Sequence, residues 1–321
     1  MPARPADDQL VAGRYAWRER LGRGGFGVVW RAHDTLLLRD VAVKAIELPP
    51  VLDDEEKARV RRKVLREARA AARLNHPGLV TVFDVIEEDG RPLIVMELVK
   101  APTLAQVVER EGPLPDERAA GIALDVLDAL TAAHAEGIIH RDVKPANVMV
   151  SESGHVQLAD FGIASVIDDP KVTSSGSVAG SPAYMAPEQA ANLPTSAATD
   201  LWGLGTTLWF AVQGEPPFAE RGAIATMTAV VNEDPRPLRR ETALAPLLRD
   251  LLVKDPADRP SAAEVRVRLH AVTAGEDGKD TATMELATAV EPTERAEPVA
   301  VATEPEAEGK AERKAEPEPA P

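Results

Sequence analysis

Two loops in the middle of the chain carry side chains that could bind a metal ion and accept a proton. Asp142, Lys144 and Asn147 lie within the segment HRDVKPAN, and Asp160 follows Asn147 by thirteen residues. An asparagine and an aspartate offer the side-chain oxygens that Mg²⁺ prefers. A second aspartate with no metal to bind can accept a proton from a hydroxyl group. This order and spacing predict metal-assisted chemistry on a hydroxyl group.

A glycine-rich loop near the N-terminus could hold a phosphate. Gly22, Gly24 and Gly27 fit the pattern G-x-G-x-x-G, and glycines let the backbone approach a phosphate without a Cβ in the way. In a dinucleotide-binding fold this pattern opens a helix. Here Gly27 runs into the strand-like VVWRA, which predicts strand–loop–strand. On the spacing alone, an ordinary glycine-rich hairpin is the favoured alternative.

A lysine and a glutamate lie in apolar surroundings, where each would need a side chain of opposite charge. Lys44 is inside the apolar strand VAVKAI, and Glu67 falls on the apolar stripe of a helix predicted over residues 55–74. An unpaired carboxylate on that stripe would be costly, so we expect Glu67 to pair with Lys44. The alternative is a pair within the same helix, with Lys63 or Arg66.

Two regions of different pattern position these residues. Residues 15 to about 100 hold short runs rich in Val, Ile and Leu between turn signals, together with one strong helix. From about 103 to 270 the pattern is helical, and two predicted helices end at Gly137 and Gly214. A small sheet region before a larger helical one predicts an α+β fold with a cleft between the two.

Composition excludes several classes of protein. The 321 residues include no cysteine, which rules out disulfides, thiolate metal sites and cysteine nucleophiles. A net charge of −15 argues against a nucleic-acid partner, and the lack of 18 successive apolar residues argues against a membrane span. The start of the chain lacks the apolar run of a signal peptide, which favours a cytoplasmic location.

Charge is distributed unevenly along the chain. Residues 273–321 contain thirteen acidic residues, five basic residues and no aromatic residue, so we predict a disordered acidic tail. The helix that bears Glu67 carries eight basic residues. The favoured explanation of these basic residues is a helix face exposed to solvent, and a contact with the acidic tail is the alternative.

These motifs together resemble the eukaryotic-type protein kinase family, in its bacterial (Hanks-type) serine/threonine branch. The resemblance runs from about Tyr15 to Val272 and includes GRGGFGVV, VAVK, HRDVKPAN, DFG, MAPE, DLWGLG and DPADRP. It implies a two-lobed protein-kinase-like fold over residues 15–272 with ATP in the cleft. The N-lobe would be about 15–99 and the C-lobe about 100–272, after an N-terminal extension of residues 1–14.

The resemblance implies a role for each matching residue. The residues implied to contact ATP are Leu21, Gly22, Gly24, Gly27, Val29, Ala42, Lys44, Glu67, Glu97, Val99 and Asp160, with Met96 as gatekeeper. The residues implied to be catalytic are Asp142 as the base, Lys44, Lys144 and Asn147. Asn147 and Asp160 would hold Mg²⁺, with Mn²⁺ as an alternative. Glu188 and Arg259 would form a structural ion pair, and Asp200 would brace the loop around Asp142.

The implied activity is transfer of the γ-phosphate of ATP to protein substrates. Lys144 is typical of the serine/threonine branch, so serine and threonine hydroxyls are the expected acceptors. A pseudokinase that binds ATP as a scaffold is the main alternative, although Lys44, Asp142 and Asp160 give it no support. A small-molecule phosphotransferase is the second alternative, and the MAPE segment disfavours it.

The segment between Asp160 and Glu188 is expected to control activity. In this family an arginine at the position of Arg141 pairs with a phosphate on that segment. Thr173 and Ser175 are the predicted phosphorylation sites, while Ser181, where the family usually has threonine, should stay unmodified. Phosphorylation in trans would require transient self-association of two chains.

Overall fold

The computed structural model describes residues 10–24, 27–48, 50, 52–161, 182–220 and 222–275. Several sequence predictions lie outside these residues and stay predictions: the phosphorylation candidates Thr173 and Ser175, the acceptor-segment Ser181, and the acidic tail from residue 276 onward.

The N-terminal part forms an antiparallel sheet of six strands in the order β1-β2-β3-β4-β6-β5. The strands are β1 (Leu10–Val11), β2 (Tyr15–Gly24), β3 (Gly27–Asp34), β4 (Arg39–Ile46), β5 (Val82–Glu88) and β6 (Arg91–Glu97). β4 reads as a nearly continuous apolar run because both of its faces are covered. Val41 and Val43 enter one apolar cluster, while Ala42 and Ile46 enter another on the opposite face.

Helix α1 (Asp54–Ala71) packs on β5 and β6. A capping box starts it: the Glu56 N–H donates to the Asp53 carboxylate at 2.8 Å, and the Asp53 N–H donates to the Glu56 carboxylate at 3.2 Å. Its apolar stripe, which includes Val60 and Val64, joins the same cluster as Ala42. The helix lies within the predicted range of 55–74 apart from its first residue, and it ends three residues early.

The C-terminal part is mainly helical. It contains α2 (Leu104–Glu111), α3 (Asp116–Ala135), the hairpin β7 (Val148–Val150) and β8 (Val156–Leu158), α4 (Pro187–Ala190), α5 (Ala197–Gln213), α6 (Ala223–Asn232), α7 (Ala245–Leu251) and α8 (Ala262–Thr273). α5 is buried along most of its length and packs on α3 and α7. Gly137 and Gly214 have φ of 72° and 79°, the left-handed conformation that favours glycine just after a helix.

The two parts have largely separate apolar cores, although Ala71 of α1 joins the cluster of the C-terminal part. One large cluster joins the helices of the C-terminal part, and two smaller clusters cover the faces of the sheet. The prediction of an α+β, two-lobed fold with a β-rich N-lobe and a helical C-lobe is confirmed. Among the described residues, no helix is both long enough and apolar enough to cross a bilayer.

Candidate active site

The glycine-rich loop joins two strands, as predicted, and does not open a helix. Gly22 and Gly24 lie in β2, and Gly27 begins β3. A Cβ on Gly22 or Gly24 would meet no atom within 4 Å. A Cβ on Gly27 would lie 2.0 Å from the Ala45 carbonyl oxygen, and φ there is 145°, so this position requires glycine. Gly22 and Gly24 thus lie beside open space, whereas Gly27 packs directly against the backbone of β4.

Apolar side chains from several strands meet beneath that loop. Val29, Ala42, Met96 and Val99 belong to one cluster, which also includes Ala159 from the other side of the cleft. Such a surface suits a flat aromatic base. Leu21, another residue predicted here, is 47% exposed at the rim.

Glu97 is held through both its backbone and its side chain. Its N–H donates to the Thr81 carbonyl at 2.9 Å. Its carboxylate accepts from Gln157 at 3.2 Å and therefore braces the β7–β8 hairpin.

Lys44 pairs with Asp160. The Lys44 side chain is 8% exposed, and its Nζ lies 2.9 Å from Asp160 Oδ1. Burial opposes ionisation of Asp160, but the charge and hydrogen bond of Lys44 outweigh it and hold the pKa of that carboxyl below its usual range. The site therefore contains an ion pair between a buried lysine and a partly exposed aspartate, which connects the sheet with the far wall of the cleft.

The predicted Lys44–Glu67 pair is wrong for this conformation. Glu67 Oε1 lies 3.8 Å from Arg141 Nη1, and the buried Glu67 Oε2 has no hydrogen-bond partner among the described residues. Helical periodicity identifies the face on which Glu67 lies but not which cation lies in reach. In the structure Lys44 pairs with Asp160, and Glu67 contacts the guanidinium of Arg141.

The Glu67 carboxylate is partly buried and lacks a hydrogen-bond partner for Oε2 among the described residues, which leads to a prediction about stability. Burial raises its pKa, against the lowering influence of Lys63, Arg141 and Arg66. A raised carboxyl pKa means that the ionised form destabilises the fold as pH rises through that range. We expect Glu67→Gln at pH 7 to leave the free energy of unfolding unchanged or to raise it by about 1 kcal/mol. The difference should disappear near the ordinary pKa of glutamate.

Thermal unfolding at several pH values measures this effect. Glu109→Gln, an exposed position on α2, is the matched control and should change nothing. Loss of stability on Glu67→Gln at pH 7, as for a broken ion pair, would contradict this description of Glu67.

The loop of residues 140–147 holds Asp142 between two donors. Lys144 Nζ donates to both carboxylate oxygens of Asp142 at 2.8 Å. Asn147 Nδ2 donates to Asp142 Oδ2 at 3.0 Å and to the Asp142 carbonyl at 2.8 Å. The structure thus brings together the three residues that the motif singled out, and it fixes the orientation of the Asp142 carboxylate.

Asp200 on α5 braces this loop from beneath, as predicted. Its carboxylate accepts from the backbone N–H groups of His140 at 2.8 Å and Arg141 at 2.7 Å. Arg141 has φ of 65° and Asp160 has φ of 66°, values that are uncommon for residues with a Cβ. Such strain persists only where the surroundings over-determine the backbone, and it concentrates at functional sites.

His140 connects the loop with the segment that carries Asp160. Complete burial lowers the pKa of His140, so the ring is neutral near pH 7. Its Nδ1 accepts from the Asp142 N–H at 3.1 Å, and its Nε2 donates to the Ala159 carbonyl at 2.9 Å. The two loops are therefore held at a fixed distance through one ring.

Sequence reasoning missed three positioning residues. His134 on α3 contacts Asp200 Oδ2 through Nε2 at 2.7 Å. Thr195 accepts from Arg141 Nε at 3.0 Å, and Gln189 donates to the Arg141 carbonyl at 2.9 Å. These partners are 48 to 66 residues apart in the chain, so no local spacing could indicate them.

The donor set at the cleft fits a magnesium ion. The Asn147 amide nitrogen donates to Asp142, so the amide oxygen points away from Asp142 and can bind a metal ion. Asp160 adds a carboxylate whose pKa is held low, so it is ionised at neutral pH. One amide oxygen and one carboxylate leave room for phosphate and water oxygens, as Mg²⁺ sites usually do.

The predicted ion pair between Glu188 and Arg259 is present and buried. Two parallel hydrogen bonds of 2.8 Å join the guanidinium and the carboxylate, and Thr199 also donates to Glu188 at 2.8 Å. This pair ties α4 to the segment that precedes α8.

Comparison with known proteins agrees with this geometry. Residues 15–268 match the family described as the protein kinase domain. The serine/threonine-protein kinase PknB of Mycolicibacterium smegmatis is 40% identical over 280 residues, which is 84% of this chain and 44% of that protein. The serine/threonine-protein kinase PkaA of Streptomyces coelicolor is 36% identical over 282 residues, 83% of this chain and 51% of that protein. The chain thus spans about half the length of these curated relatives.

Proposed function

The chain belongs to the protein kinase family, in its bacterial Hanks-type serine/threonine branch, and we propose that it transfers the γ-phosphate of ATP to serine and threonine hydroxyls of proteins. The observation that carries this proposal is the Asp142 carboxylate, held by Lys144 and Asn147. A carboxylate fixed by two donors, in a loop braced by Asp200, would accept the proton of an incoming hydroxyl.

The rest of the cleft supports nucleotide binding. Lys44 supplies a positive charge under the glycine-rich loop and would contact the α- and β-phosphates. Asn147 and Asp160 would hold Mg²⁺, or Mn²⁺, which would bridge phosphate oxygens and neutralise their charge. The cluster around Ala42 and Met96 would receive the adenine.

Lys144 bears on the choice of acceptor. Its ammonium lies 2.8 Å from Asp142, so it can neutralise charge where a phosphoryl group meets a hydroxyl. This supports serine and threonine as acceptors, since the resemblance assigns that lysine to the serine/threonine branch.

Control by phosphorylation is the second part of the proposal. Arg141 lies at the base of the cleft, where it contacts Glu67 and donates to Thr195. A phosphate on Thr173 or Ser175 would give Arg141 a charge-assisted partner that competes with Glu67. We propose that two chains associate transiently and phosphorylate these residues in trans. Phosphopeptide mapping after incubation with MgATP tests this part.

Lys44→Met tests the nucleotide site. The variant keeps the apolar stem of Lys44 and removes its ammonium, which leaves the Asp160 carboxylate without its cation. We expect turnover of ATP with a generic basic protein to fall by at least about 100-fold because an electrostatic contact to phosphate is lost. The matched control is Lys57→Met on α1, which should retain activity. Wild-type turnover in Lys44→Met would refute the site.

A further inference from the structure

The solvent-facing side of α1 carries a row of arginines that phosphoryl transfer does not require. We define the arginine stripe as the exposed residues Arg59, Arg62, Arg66, Arg69 and Arg73. We propose that this stripe binds a carboxylate-rich segment of a partner protein. The proposal concerns binding alone and does not depend on transfer activity.

The spacing places the arginines in one line. At about 100° per residue, the four that lie in α1 fall within about 80° of the helix circumference. The buried residues Val60, Val64 and Ala68 lie on the opposite side, packed toward the sheet. At about 1.5 Å per residue the four cover about 15 Å, and Arg73 extends the row into the following turn.

The row is unfavourable for the isolated helix. From Lys57 to Arg73 the chain holds eight basic residues and one acidic residue, Glu67, within a protein of net charge −15. Like charges three or four residues apart destabilise a helix. A partner that supplies the opposite charge would relieve this repulsion and stabilise the helix.

The fold does not neutralise most of the stripe. Elsewhere on α1, Lys57 lies 4.0 Å from Asp54 and Arg61 lies 3.5 Å from Glu87. Among the described residues, no ion pair within 4.0 Å includes Arg62, Arg66, Arg69 or Arg73. Within the described residues, these four guanidiniums therefore make no ion pair that a partner would have to displace.

The chemistry of the stripe favours protein carboxylates over nucleic acid. Every member is arginine, whose planar fork can bind a carboxylate with two parallel hydrogen bonds. Residues 54–73 include no aromatic side chain on which a base could stack, and the overall negative charge opposes a nucleic-acid polyanion. A partner helix with glutamates three and four residues apart would place its carboxylates at the same spacing as the arginines of the stripe.

Fluorescence anisotropy with the full chain tests the proposal. The probe is a labelled helical peptide of about 20 residues with glutamates at that spacing, and the reference peptide replaces each glutamate by glutamine. We expect only the glutamate peptide to bind at about 50 mM salt and its affinity to fall as salt rises. Single-stranded DNA of similar length is the competing probe.

A matched pair of variants assigns the binding to the stripe. The first variant is Arg62→Glu/Arg66→Glu/Arg69→Glu. It should weaken binding of the glutamate peptide by at least about tenfold because attraction becomes repulsion at three positions. The control variant is Arg18→Glu/Arg240→Glu/Arg249→Glu, which changes the net charge by the same amount at exposed sites elsewhere. It should change the affinity for the glutamate peptide by less than about threefold. Should the first variant not fold, glutamine replaces glutamate at the same positions and a weaker loss is expected. Equal losses in both variants, tighter binding of DNA, or no binding of the glutamate peptide would overturn the proposal.

Discussion

Asp142→Asn is expected to lower kcat by about 10²–10⁴-fold while the Kd for ATP stays within about threefold. The asparagine keeps the shape of the side chain and can still accept from Lys144 or Asn147. It is a far weaker base than a carboxylate, so the substrate hydroxyl keeps its proton. In the proposed site, nucleotide affinity would depend on Lys44, the glycine-rich loop and the apolar cluster, none of which the substitution changes.

Steady-state kinetics and calorimetric titration with ATP separate these two quantities. Asp125→Asn, at an exposed position on α3, is the matched control and should retain wild-type kcat. A variant Asp142→Asn with wild-type kcat would show that Asp142 is not the base. Loss of ATP binding together with activity would show that the loop had lost its structure.

Arg259→Met is expected to destabilise the protein by about 3–5 kcal/mol, the largest stability effect we predict. The Arg259 guanidinium is fully buried and donates to the Glu188 carboxylate and to the carbonyls of Val253, Lys254 and Ala198. Methionine fills the space but leaves Glu188 as a buried charge without a cation. For a domain of this size the melting temperature should fall by about 10 °C or more.

A surface pair of the same two residue types is the control. Arg239 lies 2.8 Å from Glu215, but its side chain is 73% exposed, so Arg239→Met should cost less than about 1 kcal/mol. Equal effects of the two substitutions, measured by denaturant unfolding, would contradict the view that burial makes the Glu188–Arg259 pair critical.

The same pair predicts a dependence of stability on pH. Burial opposes ionisation of Glu188, but the hydrogen bonds from Arg259 outweigh it, and its pKa lies below the ordinary value. A depressed carboxyl pKa contributes stability above the ordinary glutamate pKa, and this is lost as pH falls through the folded pKa. The difference between wild type and Arg259→Met should therefore shrink in acid.

Much of the fold follows from local pattern. The switch from period-two runs to helical spacing near residue 100 separates the lobes, and glycines mark helix ends at 137 and 214. The glycine-rich loop was predicted as strand–loop–strand because the residues after Gly27 are β-branched and apolar. These features depend on neighbours in the chain, which a sequence displays directly.

Distances between elements do not follow from such patterns. Periodicity placed Glu67 on the inner face of α1, yet the cation it meets is Arg141 and not Lys44. The partner of Lys44 is Asp160, more than a hundred residues away, and His134 meets Asp200 through two helices packed side by side. Tertiary packing decides these pairs, so a motif predicts which residues gather but not which atoms touch.

Transfer of radiolabelled γ-phosphate from ATP to a serine- and threonine-containing basic protein, followed by phosphoamino acid analysis, tests the central claim most directly. We predict label in phosphoserine and phosphothreonine with the full wild-type chain and MgATP, and none above background with Asp142→Asn. A wild-type chain that binds ATP but leaves the protein unlabelled, or that labels tyrosine alone, would contradict the proposed activity.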